Sequence, residues 1–327
     1  MKFRQRRTSV VGFHRVNEVF KNMVLKKKKI LIITFPQGGP FVWAKNLAQE
    51  LEKRGYDVTL ASGRKEYLKQ QFKYYDIVHT CVPLPNLLCK KYILTIHGNF
   101  KEEKMIGRIM TPLASWRANA VTVPSQFLKN TLGLKKARVI SNGINISETA
   151  KNNYALNSEN PKLGILTNFN FRKKAEGILR LAEIVKNTSP QSNLLIGGAG
   201  IFLEEYKPKI LAIFQNVKFL GHCKKEDLFN EIDIFAYYSL LDNQPLAILE
   251  AMAFGLPVVS NNVGAVKEIM TGSLGSYIAK TDEEYENMLK TLLDSEKARE
   301  ENGREAKKNS QDFSWEKIVE KLIEIYE

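Results

Sequence analysis

Cysteine is scarce in this chain, and its three residues, Cys81, Cys89 and Cys223, are scattered. They form neither a metal-ligand spacing nor an even disulfide set, which points to a reducing, cytoplasmic setting. Long apolar runs are missing too. None approaches the ~20 residues of a membrane-spanning helix, so no segment is expected to cross a bilayer. The first 29 residues are basic and lack a continuous apolar stretch and a cleavage site, which excludes the pattern of a secretory signal; Met23 is an alternative start. No G-x-G-x-x-G fingerprint occurs, which argues against a dinucleotide site. No Asp-x-Asp pair offers itself to a metal.

What is present is a soluble, globular composition, 44% hydrophobic and 26% charged over 327 residues, enough chain for two domains with separate cores. The charge is unevenly placed. Residues 1–150 hold 27 Lys and Arg against 9 Asp and Glu, a net of +18, while residues 151–327 hold 22 against 26, a net of −4, within the +14 of the whole chain. Such asymmetry points to an anionic partner for the first half, nucleic acid or anionic lipid, or else to a solvated basic face.

Residues 1–28 read as a flexible basic leader running into "LKKKK". From Lys29 the pattern turns regular. "KILIITF" is an apolar run of strand length, the mark of a strand buried on both faces. A short "PQGGPF" loop follows, then "VWAKNLAQELEKRGY", apolar at helical spacing and stopping at Gly55. "DVTLAS", "YYDIVHTC", "YILTIHG" and "NAVTVPS" repeat the theme, which predicts a parallel α/β sheet over residues 29–150. The Asn- and Ser-rich "ISNGINISETAKNNYALNSENPKL" reads as a linker. A second set, in residues 151–312, runs through "LGILTNF", the helix "AEGILRLAEIVKNT", "NLLIGGAG", a helix near Phe202–Phe214, "NVKFLG", "DIFAYYS" and "GSYIAK". Residues 313–327 form a last amphipathic helix with Phe313, Ile318, Leu322 and Ile325 on or near one face. The fold class is therefore α/β, with two doubly wound domains in series, and the cleft between them is the default ligand site.

"SLLDNQPLAILEAMAFGLPVVSNNVGAVKEI", Ser239–Ile269, carries the chemistry. Pro245 suits the first turn of a helix, Gly255 its stop, and Asn243 or Asp242 can cap the start. The helix then aims its free N–H groups at the loop Asp242-Asn243-Gln244-Pro245, a ready anion site. Glu250 sits among Ala247, Ile248, Leu249, Ala251 and Met252. A buried carboxylate needs hydrogen-bond partners, which a ribose diol or a neighbouring loop's backbone would supply.

These residues resemble the acid, seven residues, acid signature of the retaining glycosyltransferases of family 4, which have the GT-B fold. That signature ordinarily begins with Glu and a Gly-Phe-Gly-type loop and ends in Glu-Ala-Met-Ala; here it begins with Asp242 and a glycine-free loop and ends in Glu250-Ala251-Met252-Ala253. The resemblance extends from about residue 29 to the end, through "FPQGGPFVWAKNLAQELEKRGYDVTLAS", "DIVHTC", "YILTIHGNF", "AVTVPSQFLKNTL", "ARVISNGINI", "LLIGGAG" and the terminal "FSWEKIVEKLIEIYE" in family order. It implies two Rossmann-like domains facing across a cleft, the first binding the acceptor and the second a nucleotide-diphosphate sugar, with the terminal helix closing back on the first.

The same resemblance implies roles. Glu250 binds the nucleotide ribose, Asp242 contacts the donor sugar, and the loop Asn243–Leu246 holds sugar and phosphate. His97, at the carboxyl end of "YILTIH", donates a hydrogen bond near the donor sugar, unless it is a structural strand-end histidine; His79 reads as structural. Gly38 and Gly39 let backbone approach a phosphate, or form a tight turn. The family clamps the diphosphate with an Arg and a Lys, and matching the Lys to Lys173 puts Asn168 where Arg is usual, leaving Arg172 or Lys174 to compensate. The expected activity is metal-independent, retaining hexosyl transfer to a glycan or lipid-linked acceptor. The alternatives are a weak or inactive nucleotide-binding partner subunit, or a sugar-nucleotide epimerase of the same fold.

Lys101–Ala120 mixes Lys and Arg with Met105, Ile106, Ile109, Met110, Leu113 and Trp116, which fits either a helix lying on an anionic membrane surface or a core-facing stripe. A nucleic-acid partner is not expected, because the basic half has no recognition-helix or aromatic-sheet motif.

Overall fold

The computed structural model describes residues 27–83, 89–99, 105–146 and 160–327, and the side chains of residues 105 and 106 stand outside that description. The expected leader up to residue 26 and the linker residues 147–159 lie outside the described residues. Strands β1 (Lys29–Thr34), β2 (Asp57–Ser62), β3 (Tyr75–Thr80), β4 (Cys89–Thr95), β5 (Ala120–Val123) and β6 (Arg138–Val139) form one parallel sheet in the order β2-β1-β3-β4-β5-β6. Strands β7 (Leu163–Leu166), β8 (Leu194–Gly197), β9 (Val217–Gly221), β10 (Ile234–Tyr237), β11 (Val258–Asn261) and β12 (Ile278–Ala279) form the other, in the order β12-β11-β10-β7-β8-β9. Strands β8 and β10 are buried from end to end and β1 from Ile30 onward, as their unbroken apolar runs predict.

Each order reverses once, between β1 and β3 in the first sheet and between β7 and β10 in the second. Ligands bind outside the carboxyl ends of strands at such reversals. The loops leaving β1, β3, β7 and β10 therefore mark where a ligand is expected, and the loop leaving β4 lies beside them.

The chain crosses between the domains twice, and the crossings lie side by side. Ile144 bridges Ser314, with Ile144 N–H donating to Phe313 O at 2.8 Å and Trp315 N–H donating to Ile144 O at 3.1 Å. Gly143 is pressed on the Trp315 ring, where an added Cβ would come within 2.5 Å. The last helix, Trp315–Tyr326, then buries Trp315, Ile318, Val319, Leu322, Ile325 and Tyr326 against the first domain's Trp43 and Leu47. Burying each such side chain contributes roughly 1.5–3 kcal/mol, so this helix is part of that domain's core. Phe313 departs from the expected face. It ends the short 3-10 turn Gln311–Phe313 and packs on the second domain's core instead.

Helix Met105–Arg117 is turned inside out. Gly107, Thr111 and Ala114 face inward, whereas Ile109, Leu113 and Trp116 are 60%, 50% and 81% exposed. The large apolar stripe looks to solvent, flanked by exposed Arg108 and Arg117. The core-facing alternative therefore fails for Ile109, Leu113 and Trp116.

Candidate active site

Two connected cavities lie between the sheets. The smaller, about 310 Å³, is lined from the first domain by Gly39, His97 and Asn142 and from the second by Thr167, Asn168, Lys174, Tyr237 and Asp242–Ala247. The larger, about 640 Å³, shares His97, Lys174, Asp242 and Asn243 and continues past Phe35, Ile96, Thr111, Phe127 and Phe171. Apart from Thr111, midway along the helix Met105–Arg117, each of these segments leaves the carboxyl end of a strand or begins the helix after it.

The helix starts at this cleft are unusual. Gly39–Lys53, Arg172–Thr188 and Leu246–Phe254 begin at Gly38, Phe171 and Pro245, with no side-chain cap and no acid in the first turn. Among the other α-helices whose first turn and cap residue are both described, either Ser or Thr caps the first turn, as Ser125, Thr281, Ser295 and Ser314 do, or an acid lies in it, as in Arg64–Gln70 and Leu203–Ile213. An uncapped start leaves N–H groups and a partial positive charge unanswered. Three of them open on one cavity, an arrangement whose chemistry suits an anion. The expected cap by Asn243 or Asp242 is not found. Pro245 occupies the cap position, and Leu246 and Ala247, the first helical residues, line the cavity.

Asp242 stands at the centre. Its Oδ2 accepts from Lys174 Nζ at 2.7 Å and from Tyr237 Oη at 2.6 Å, and its Oδ1 accepts from Asn243 N at 2.9 Å. Both members of the Lys174–Asp242 pair are about seven-eighths buried, at 14% and 13% side-chain exposure, so each depends on the other to remain charged there. Burial, then the Asp242 charge, raises the Tyr237 phenol well above its usual range, so it stays a donor. Sequence reasoning passed over Tyr237; an aromatic hydroxyl ending a fully buried strand is the signal that would have found it.

The expected basic cluster divides. Lys173 is exposed and lines neither cavity, and the lysine facing Asp242 is Lys174. Successive helical residues are turned by about 100°, so only one of the three neighbours can point into the cleft. Arg172 is drawn away, its guanidinium donating to Glu205 at 2.8 and 3.1 Å and lying 4.9 Å over the Phe202 ring. Among the described residues Lys174 is the one Lys or Arg lining either cavity. Asn168 does line the smaller cavity, while its Oδ1 accepts from Asn170 N at 3.3 Å.

Glu250 is not the sealed acid its apolar neighbours predict. Its side chain is 25% exposed and its Oε1 accepts from Lys225 Nζ at 2.8 Å, a partner from another helix that no local pattern announces. Gln244 does line the smaller cavity, but its amide is committed to the first domain. Its Nε2 donates to Pro124 O and Ser141 Oγ, and its Oε1 accepts from Asn142 N. Gly39 lines the cavity, with open space where a Cβ would sit. Gly38 does not line it; its φ of 86° makes the turn into the helix.

His97 lines both cavities, edge-on to Trp43 with ring centroids 4.9 Å apart. Burial lowers its pKa to about 4, against the opposing effect of an Asn142 hydrogen bond, so the ring is neutral at neutral pH and donates one hydrogen bond. His79 is structural. It is fully buried between Tyr326 Oη and Thr95 Oγ1, each at 2.6 Å. The second domain's cavity wall is held by Gly198, whose φ of 129° brings the loop after β8 so near Thr167 O that a Cβ would lie 1.7 Å away.

Two facing parallel α/β domains with a cleft at their strand ends define a GT-B-type architecture. The chain belongs to the glycosyl transferases group 1 family, which residues 146–309 match. Its relatives include a GDP-mannose-dependent monoacylated alpha-(1-6)-phosphatidylinositol monomannoside mannosyltransferase of Corynebacterium glutamicum, 30% identical over 47% of this chain and 44% of that protein. The match thus spans less than half of that relative's length. An uncharacterised glycosyltransferase of Methanocaldococcus jannaschii is 23% identical over 78% and 74%. Among solved structures, sucrose-phosphate synthase of Thermosynechococcus elongatus superposes with a TM-score of 0.74 at 16% identity, over 92% of this chain and 98% of that one. HepE of Anabaena, in complex with UDP and glucose, gives 0.71 at 18% over 91% and 98%. These likenesses establish the fold.

Proposed function

We propose that the chain is a retaining glycosyltransferase of family 4 that moves a sugar from a nucleotide-diphosphate sugar to a lipid-linked or membrane-associated acceptor. The observation that carries this reading is the convergence of three uncapped helix starts and Lys174 on one cavity beside Asp242. A diphosphate would take the open amides of Leu246 and Ala247 and the Lys174 ammonium. Asp242 would accept from a sugar hydroxyl, and neutral His97 would donate to another. Glu250, on the same helix face as Leu246 and Ala247, would hold the ribose with its Oε2, since Lys225 takes Oε1.

In this reaction the acceptor oxygen bonds to the anomeric carbon on the face the diphosphate leaves. The bond to the leaving phosphate oxygen breaks, and that oxygen receives both the electron pair and the acceptor's proton. No side chain serves as general base, and Lys174 with the helix starts offsets the charge that develops on the leaving group without a metal.

The acceptor would lie in the larger cavity, whose Phe35, Phe127 and Phe171 are 45%, 39% and 52% exposed. The apolar stripe of Met105–Arg117 and the basic first half support docking on an anionic cytoplasmic leaflet. The Corynebacterium relative, named for a phosphatidylinositol monomannoside, supports such an acceptor. One observation favours a slower or inactive variant: among the described residues a single cation lines the cleft, where the family resemblance implies two.

The test is a thermal-shift screen of UDP, GDP, ADP, dTDP and their sugars on the parent, Lys174→Ala and Glu250→Ala. A ligand at a hundred times its Kd adds ~2.7 kcal/mol, which raises the midpoint visibly. A shift by one nucleotide that is lost in the variants supports the donor site and names the base. Binding without turnover selects the partner-subunit reading, turnover of a sugar nucleotide without acceptor selects the epimerase, and no shift at all rejects the site.

A further inference from the structure

The loop carrying Asp242 is fastened to the opposite domain in two places, and neither fastening is a local necessity. Gln244 is 6% exposed, and both N–H groups of its amide are used, one on Pro124 O at 3.0 Å and one on Ser141 Oγ at 2.6 Å. Its Oε1 accepts from Asn142 N at 3.0 Å. So placed, the glutamine spends its amide on the first domain while lining the smaller cavity.

The second fastening begins at Gly264. Its φ of 55° sets it against the loop, where a Cβ would come 2.3 Å from Asp242 O, and Ala265 N–H donates to Asn243 O at 2.8 Å. Three residues on, Glu268 reaches across the cleft. Its two carboxylate oxygens accept from Gln126 N at 2.7 Å and Phe127 N at 2.6 Å, and Ser125 Oγ accepts from Leu128 N at 3.1 Å. The helix Gln126–Leu132 therefore has its first three N–H groups satisfied only with the other domain's help. The Phe127 side chain lines the larger cavity.

We propose that Glu268 and Gln244 are positioning residues that tie the acceptor wall at Phe127 to the donor loop at Asp242–Asn243, so that filling the donor side orders the acceptor side. This rests on the donor and acceptor assignments made above. A carboxylate on two backbone N–H groups is a charge-assisted contact, stronger than a neutral one, and it links the segment packed on the Asp242–Asn243 loop to the Phe127 wall of the larger cavity. Whatever steadies the loop steadies Gly264–Glu268 and, through it, Gln126–Phe127; the coupling is reciprocal.

Hydrogen–deuterium exchange on the full chain tests it, using the parent, Glu268→Ala, Glu268→Gln and Gln244→Ala, each alone and with UDP, GDP or ADP. Without nucleotide, amides of Gln126–Leu132 should exchange about tenfold faster in Glu268→Ala, the scale of one lost charge-assisted hydrogen bond, with β1 unchanged and Glu268→Gln in between. In the parent, the nucleotide that protects Asp242–Ala247 should also protect Gln126–Leu132, and Glu268→Ala should keep the first protection and lose the second. Gln244→Ala should weaken the second as well. Second-site protection that survives in Glu268→Ala, or faster exchange spread over the whole first sheet, overturns the proposal. If no nucleotide protects Asp242–Ala247 in the parent, the donor-site reading fails instead, and exchange of Gln126–Leu132 in the unliganded variants then decides the fastening alone.

Discussion

The two domains share an architecture and differ in how completely they are sealed. The second packs one continuous core from Ile144 to Ala306. The first divides its core into three clusters and completes the largest with the helix Trp315–Tyr326 from the far end of the chain. Of the large apolar side chains left exposed among the described residues, ten belong to the first domain and three to the second. The first half is also the basic one, at +18 against −4. A sealed, mildly acidic domain offers its cleft and little else, whereas a basic domain with outward Ile109, Leu113 and Trp116 offers a surface. The family match falls on the sealed half, where a single core and fixed helix starts leave the least freedom.

The sharpest way to break this contrast is at the cleft. Lys174→Ala should lower kcat/KM by about 10²–10³-fold, the scale of one lost oxyanion-type contact, and should abolish the nucleotide-induced thermal shift. Steady-state kinetics on a matched donor and acceptor would measure the first, and an unchanged rate would remove Lys174 from the site.

Acid should separate the domains next. Among the described residues the two histidines with lowered pKa lie in the first, fully buried His79 at about 3 and cavity-lining His97 at about 4, each lowered chiefly by desolvation. An unfolded histidine titrates near 6.5, so the unfolded chain binds more protons below that pH. Stability is then full above pH ~6.5 and falls as pH drops toward the folded values, by on the order of 3 kcal/mol at pH 4 for His79. Urea titrations across that range should show the first domain unfolding earlier; equal sensitivity of both domains would contradict the assignment.

On the surface, replacing Ile109, Leu113 and Trp116 together by Ser should weaken binding to anionic phosphatidylglycerol vesicles about tenfold while leaving binding to neutral vesicles weak. Co-sedimentation at low and high salt checks this, and undiminished binding would place the membrane contact elsewhere. The smallest effect belongs to Lys173→Ala. An exposed lysine off the cleft should change kcat/KM by no more than about twofold, since substitutions of that kind are near neutral.

Read alone, the sequence determined the two parallel sheets, the stop of the first helix at Gly55, and the acid-bearing loop and helix of the cleft, because strand runs, helical spacing and glycine stops are local signals. It also placed Asp242, His97, Asn168 and Gly39, which strand ends deliver to one cavity. It contained a further clue in Arg172-Lys173-Lys174, three cations at an uncapped helix start, a local conflict that marks function. Only the tertiary structure decided which of the three faces Asp242, because neighbouring helical residues differ by about 100° and the packed face selects one. It likewise decided that Glu250 meets Lys225, that Gln244 turns to the other domain, and that the stripe of Met105–Arg117 looks outward. Each depends on a partner distant in sequence. Periodicity tells that a helix has faces, and only its neighbours in space determine what each face meets.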